Sequence, residues 1–130
     1  AQALVAGAAR DEIEVASHHI VGLTDNELRD LMESADALVF GVPTINRDVP
    51  KPMWDVLAYL STIKLKTNLA AVFGSYGWSG EACKMVEERL KGMGFKLVSD
   101  PVRAVFTPTA DLLEQCKALG AAVSEEVAKR

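Results

Sequence analysis

The sequence predicts an open α/β sandwich, a parallel sheet covered by helices on both faces in three layers. Three observations carry that expectation. Two short runs without a polar residue, Ala37–Gly41 (ALVFG) and Leu69–Phe73 (LAAVF), have the character of strands buried on both faces. Segments of helical periodicity lie between and after them. Alternation of this kind implies right-handed crossovers, which set helices above and below a parallel sheet.

Taken in order, Ala1–Arg10 is an alanine-rich helical stretch. Ile13–His18 alternates apolar and polar residues and predicts a half-buried strand. Thr24-Asp25-Asn26-Glu27 has the form of a capping box and opens a helix running to about Ser34. After the first apolar run comes a loop, Val42–Pro50, then a helix over Pro52–Leu60 with proline in its first turn. After the second comes a turn, Gly74–Gly80, whose Ser79 is placed to cap a helix over Glu81–Lys91. That helix sets Ala82, Val86 and Leu90 on one face and stops at Gly92 and Gly94. Phe95–Val98 and Val102–Phe106 read as extended pieces, broken at Asp100-Pro101. Thr109 caps a last helix whose Leu112, Leu113, Cys116, Leu119, Val123 and Val127 fall on one stripe.

A length of 130 residues suits one domain, 1–130, with no linker or repeat inside it. Hydrophobic residues at 49 % and charged residues at 25 % suit a globular chain with a real core. The net charge of −4 argues against nucleic acid and anionic membrane as partners, since both reward basic patches. No apolar run approaches the ~20 residues of a membrane span. Cys83 and Cys116 show no CxxC spacing, which fits a reduced, cytoplasmic setting.

In open α/β sheets, ligands sit beyond the carboxyl ends of the strands. Two loops therefore matter, Gly41–Pro50 and Gly74–Gly80. The first offers Thr44 and Asn46, which both donate and accept hydrogen bonds and can read the edge of a flat heterocycle. It can equally be a plain strand-to-helix connection whose Asn46 and Asp48 satisfy turns. In the second, Tyr76 and Trp78 are one of the chain's two Tyr and one of its two Trp. They stand among Gly74, Gly77 and Gly80, as stacking on a planar ring with close backbone approach would want. The same glycines can also merely shape the turn under a Trp78 lid. Their GxxGxxG spacing is not the dinucleotide fingerprint.

TINRDVPKP, followed by FGSYGWSGEA, resembles the flavodoxin-like module of flavodiiron (A-type) flavoproteins along the whole chain. The resemblance implies a flavodoxin-like sheet of order 2-1-3-4-5 that binds FMN without a covalent link. By position, Pro43, Thr44, Ile45 and Asn46 would border one side of the isoalloxazine. Ser75, Tyr76, Gly77, Trp78 and Gly80 would border the other. Arg47 departs from the Asn common in the family at that point. The implied function is an electron-transfer module, taking electrons from a redox partner such as rubredoxin or a reductase. It would pass them toward an oxygen- or nitric-oxide-reducing diiron domain in the same or a partner chain, and a homo-oligomer is compatible with this. Backbone groups near Ile45–Asp48 would face flavin N5. Negative charge near the ring would lower its potential, so that neutralising Asp48 raises it.

In such folds a central strand precedes the first helix, and the turn after it cradles the phosphate at the helix N-terminus. Here the helix begins at Ala1, so the chain reads as an N-terminally incomplete module starting within its first helix. Weak FMN binding, or none, is the expectation for these 130 residues. His18 and His19, adjacent on the expected strand, would point to opposite faces, so no metal site is expected. An NAD(P)H-dependent flavin or quinone reductase on the same fold is the alternative, with a cofactor-free fragment behind it. A phospho-receiver is disfavoured, because Gly41-Val42-Pro43-Thr44 lacks the aspartate that receivers carry after their third strand.

Overall fold

The computed structural model describes residues 1–130. The elements are α1 (Gln2–Ala8), α2 (Asp25–Ser34), β1 (Leu38–Pro43), α3 (Lys51–Leu60), β2 (Leu69–Tyr76), α4 (Glu81–Gly92), β3 (Lys96–Leu97), β4 (Val102–Val105) and α5 (Ala110–Ala128). Strands β1 and β2 pair in parallel along their length, from Leu38 opposite Ala70 to Pro43 opposite Ser75. The other edge of β2 carries two short parallel strands in succession. Leu69–Ala70 pair with β3, and Phe73–Tyr76 pair with β4. Pro101, which has no N–H to give a ladder, sits in the break between them.

The pleat of β2 sends alternate side chains to two cores. Ala70 and Val72 join Phe40 and Val42 of β1, facing Met53, Val56, Leu57 and Leu60 of α3 and Ala82, Val86 and Leu90 of α4. Met32 of α2 closes the same side. Ala71 faces the other way, into Leu4 of α1 and Leu119 and Val123 of α5. This is the expected three-layer α/β/α sandwich, open at both edges. Each fully buried Leu or Val of this set contributes about 1.5–3 kcal/mol relative to exposure.

Helices α1 and α5 touch backbone to backbone. A Cβ on Gly7 would run into the Lys117 carbonyl, and one on Gly120 into the Leu4 carbonyl. The Ser124 hydroxyl donates to the Ala8 carbonyl in the same seam. No helix is long and apolar enough to cross a membrane.

Four local expectations need correction. Ile13–His18 is not a strand; its one ladder contact is an isolated antiparallel bridge between Arg10 and Ile13. Alternation can make a strand only where it pairs with an edge, and β1 pairs with β2 alone. The sheet accordingly shows three neighbouring positions of the 2-1-3-4-5 order. Strand β2 runs on through Ser75 and Tyr76, which the sequence had assigned to the turn, because β4 pairs with them. The N-cap of α4 is Gly80, not Ser79, and it supplies no side-chain bond. Leu113 lies off the α5 stripe and is exposed. The caps expected of Thr24 and Thr109 form as read, accepting from Glu27 N–H and Leu112 N–H.

Candidate functional site

Because β1 and β2 are parallel and in register, their carboxyl ends finish side by side. Pro43 stands opposite Ser75, and each strand hands over to one of the two loops. The loops are then tied together. Thr44 N–H donates to the Ser75 carbonyl over 2.9 Å. The Thr44 hydroxyl accepts from Ala82 N–H, in the first turn of α4, over 3.1 Å. Thr44 thus serves as the side-chain cap that α4 lacks locally. A hydroxyl that accepts one bond keeps its proton to donate, and Thr44 spends that proton on no group of the chain. The structure therefore brings Pro43, Thr44, Ile45, Asn46, Ser75, Tyr76, Gly77, Trp78 and Gly80 to one rim.

Past Thr44 the chain turns sharply. Ile45 and Asp48 exchange both backbone hydrogen bonds, each at 3.0 Å. Asn46 and Arg47 between them have φ of 51° and 61°. Two consecutive left-handed residues closing such a pair make a type I′ turn. Asn tolerates this conformation; Arg at the second position costs about 1–2 kcal/mol. The N–H groups of Asn46 and Arg47 make no bond within the chain, so they are the donors this loop presents. Asp48 holds the turn from behind. One carboxylate oxygen accepts from Val49 N–H at 2.7 Å and from the Trp54 indole at 3.1 Å.

The glycines of the second loop have a different use from the one their sequence suggests. None has a left-handed φ; the positive-φ glycines are Gly22 and Gly94. Gly74 leaves room for the Val42 carbonyl of β1, which an added Cβ would run into, and for Cys83, whose Sγ would lie 2.6 Å from that Cβ. Gly77 accommodates the Phe106 ring at 2.7 Å, and Gly80 the Tyr76 ring at 3.0 Å. Tyr76 is thereby packed inside its own loop. Trp78 is bare, 91 % exposed, and across the rim Ile45 is 55 % exposed. Such a pair of uncovered apolar groups flanking free N–H donors suits a flat, partly polar ring system. Glu81, at the start of α4, has a buried Oε2 with no hydrogen-bond partner.

Cys83, a free and buried thiol under the same rim, is held in its protonated form. Burial pushes its thiol up to about 11, against the pull of the Arg103 guanidinium and with a further push from Glu87. His18 and His19, both exposed, lie in the stretch that forms no strand. Phe106 and Arg103, which brace the second loop from β4, carried no sequence signal. Their role depends on β4 lying beside Tyr76.

The profile of the flavodoxin family matches residues 1–120. The type A flavoprotein fprA of Rhodobacter capsulatus is 38 % identical over 131 residues, covering 100 % of this chain and 30 % of its own. The flavodiiron core of Flv1 from Synechocystis superposes with a TM-score of 0.91 at 30 % identity, over 98 % of this chain and 32 % of its own. A flavodoxin from the domain Archaea gives 0.82 at 29 % identity, over 98 % of this chain and 87 % of its own. The chain spans about a third of the length of the first two. With its open parallel sheet and its rim of paired loops, the chain belongs to the flavodoxin family, as the flavodoxin-like module of the flavodiiron and type A flavoproteins.

Proposed function

We propose that this chain holds FMN and relays electrons within a flavodiiron-type oxidoreductase. The flavodoxin family binds FMN, and that cofactor supplies the electron chemistry when bound. The observation that carries the proposal is the Thr44 tie, which sets the Ile45–Asp48 turn and the exposed Trp78 at one rim. Ile45 and Trp78 would cover the two sides of the isoalloxazine. Asn46 and Arg47 N–H would donate to its polar edge, and the Thr44 hydroxyl offers a further donor. Electrons would enter from a redox partner such as rubredoxin or a reductase. They would leave toward an oxygen- or nitric-oxide-reducing diiron domain in the same or a partner chain. The two free cysteines support a reducing, cytoplasmic setting.

The contacts named here all address the ring. The 130-residue chain should therefore bind FMN and riboflavin weakly and with similar affinity, read as quenching of flavin fluorescence on titration. Trp78→Ala should abolish most of the quenching. A wild-type chain that quenches neither flavin overturns the assignment, and near-full flavin occupancy on purification overturns the expectation of weak binding.

A further inference from the structure

The Tyr76–Gly80 loop is held from outside by β4. Arg103 reaches over from that strand, its guanidinium carbon 5.9 Å from the centre of the Tyr76 ring. Its Nη1 donates to the Gly80 carbonyl over 3.3 Å. Tyr76 and Gly80 are the two ends of the loop, so one side chain grips both. Glu87 and Glu88 border the same surface depression as Arg103, yet Arg103 forms no ion pair with either. Its bond and its flat face go to the loop instead, as the planar fork of arginine allows and an ammonium does not.

Phe106 is the second contact. Its N–H donates to the Tyr76 carbonyl over 2.8 Å, extending the β2–β4 ladder by one rung. Its ring lies against Gly77. The residue is left-handed, φ 55°, which is strained for an aromatic side chain. Burial does not offset that strain, since Phe106 is 75 % exposed. What the strained backbone does achieve is to set the ring on the Cα of Gly77, next to Trp78.

We propose that Arg103 and Phe106 are positioning residues for the flavin loop, clamping its ends and bracing Gly77 so that Trp78 is held where it covers the isoalloxazine. The inference rests on the FMN reading above and assigns the part of the site that lies behind the ring walls.

The test compares wild type with Arg103→Met, Arg103→Lys and Phe106→Gly. It uses two readouts, amide hydrogen exchange without flavin at position 106, whose N–H donates to the Tyr76 carbonyl, and titration with FMN. Arg103→Met should speed exchange and raise the FMN Kd, each about tenfold. Arg103→Lys keeps the charge but loses the fork and should recover only part of either. Phe106→Gly removes the left-handed strain, so its melting temperature should not fall, while its FMN Kd still rises; a merely structural residue would not separate the two. Unchanged exchange in Arg103→Met and Phe106→Gly overturns the brace. Faster exchange with unchanged FMN affinity overturns its role toward flavin. A wild-type chain that takes up no flavin, whatever the exchange shows, overturns the cofactor reading beneath it.

Discussion

Replacing Thr44 by valine tests the joint between the two loops. Valine keeps the shape and removes the oxygen that accepts from Ala82 N–H at 3.1 Å. Ala82 is 0 % exposed, so water cannot replace that oxygen. A buried N–H left without a partner costs about 1–3 kcal/mol, and no other side chain caps α4. We take ~2 kcal/mol as the expected loss. At ~2.1 cal/mol/K per residue, the unfolding entropy of this chain is about 0.27 kcal/mol/K, so Tm should drop by about 7 °C. Thr44→Ser retains the oxygen and should stay within about 0.5 kcal/mol of wild type. Urea unfolding followed by circular dichroism reads both variants. A valine variant as stable as wild type, or a serine variant that falls as far as valine, would refute the tie.

Two further outcomes follow from single contacts. Gly120→Ala drives a methyl into the Leu4 carbonyl; it should destabilise by about 1–3 kcal/mol, although alanine gains ~1 kcal/mol in helix propensity. Gly92→Ala, with nothing within 4 Å, is the control and should be neutral or mildly stabilising in the same urea experiment. Asp48→Asn keeps an oxygen for Val49 N–H and the Trp54 indole while removing the charge. If flavin is held beside this turn, its two-electron midpoint potential should rise by about 20 mV, the equivalent of ~1 kcal/mol; an unchanged potential in a redox titration counts against that placement.

What the sequence made legible was local or periodic. The apolar runs at Ala37–Gly41 and Leu69–Phe73 could be strands only if covered on both faces, and two helical layers cover them. Thr24 and Thr109 each cap a helix whose donor lies three residues on, within reach of the chain itself. The failures are through-space. Ser79 stood at the right distance from α4, but the capping oxygen belongs to Thr44, 38 residues before the Ala82 N–H that it caps. The alternation of Ile13–His18 is a sound strand signal that needs a partner edge, and no local pattern reports whether one is offered. The glycines of Gly74–Gly80 were visible, but their purpose was not: it is set by the Val42 carbonyl, Cys83, Tyr76 and Phe106 packing onto them.

Backbone strain supports the proposed ring-binding role of the rim. Five residues of the chain are left-handed. Gly22 and Gly94 take that conformation at no steric cost. The other three, Asn46, Arg47 and Phe106, carry side chains there and all lie in loops that leave the carboxyl ends of β1 and β4. Glycine would relieve each of them, most of all Arg47, where a type I′ turn prefers it. Strain of this kind persists where the surroundings over-determine it. Here they do: the Ile45–Asp48 pair and the Asp48 carboxylate force the first turn, and the Tyr76 carbonyl and Gly77 force the second. Two independently enforced distortions thus lie in loops at the carboxyl ends of the strands, while the sheet beneath, with Ala70, Ala71 and Val72 fully buried, has no freedom to absorb them. A rim whose only duty was to connect strands to helices would gain by relaxing; strain held from both sides is what the proposed ring-binding role asks of a preorganised edge.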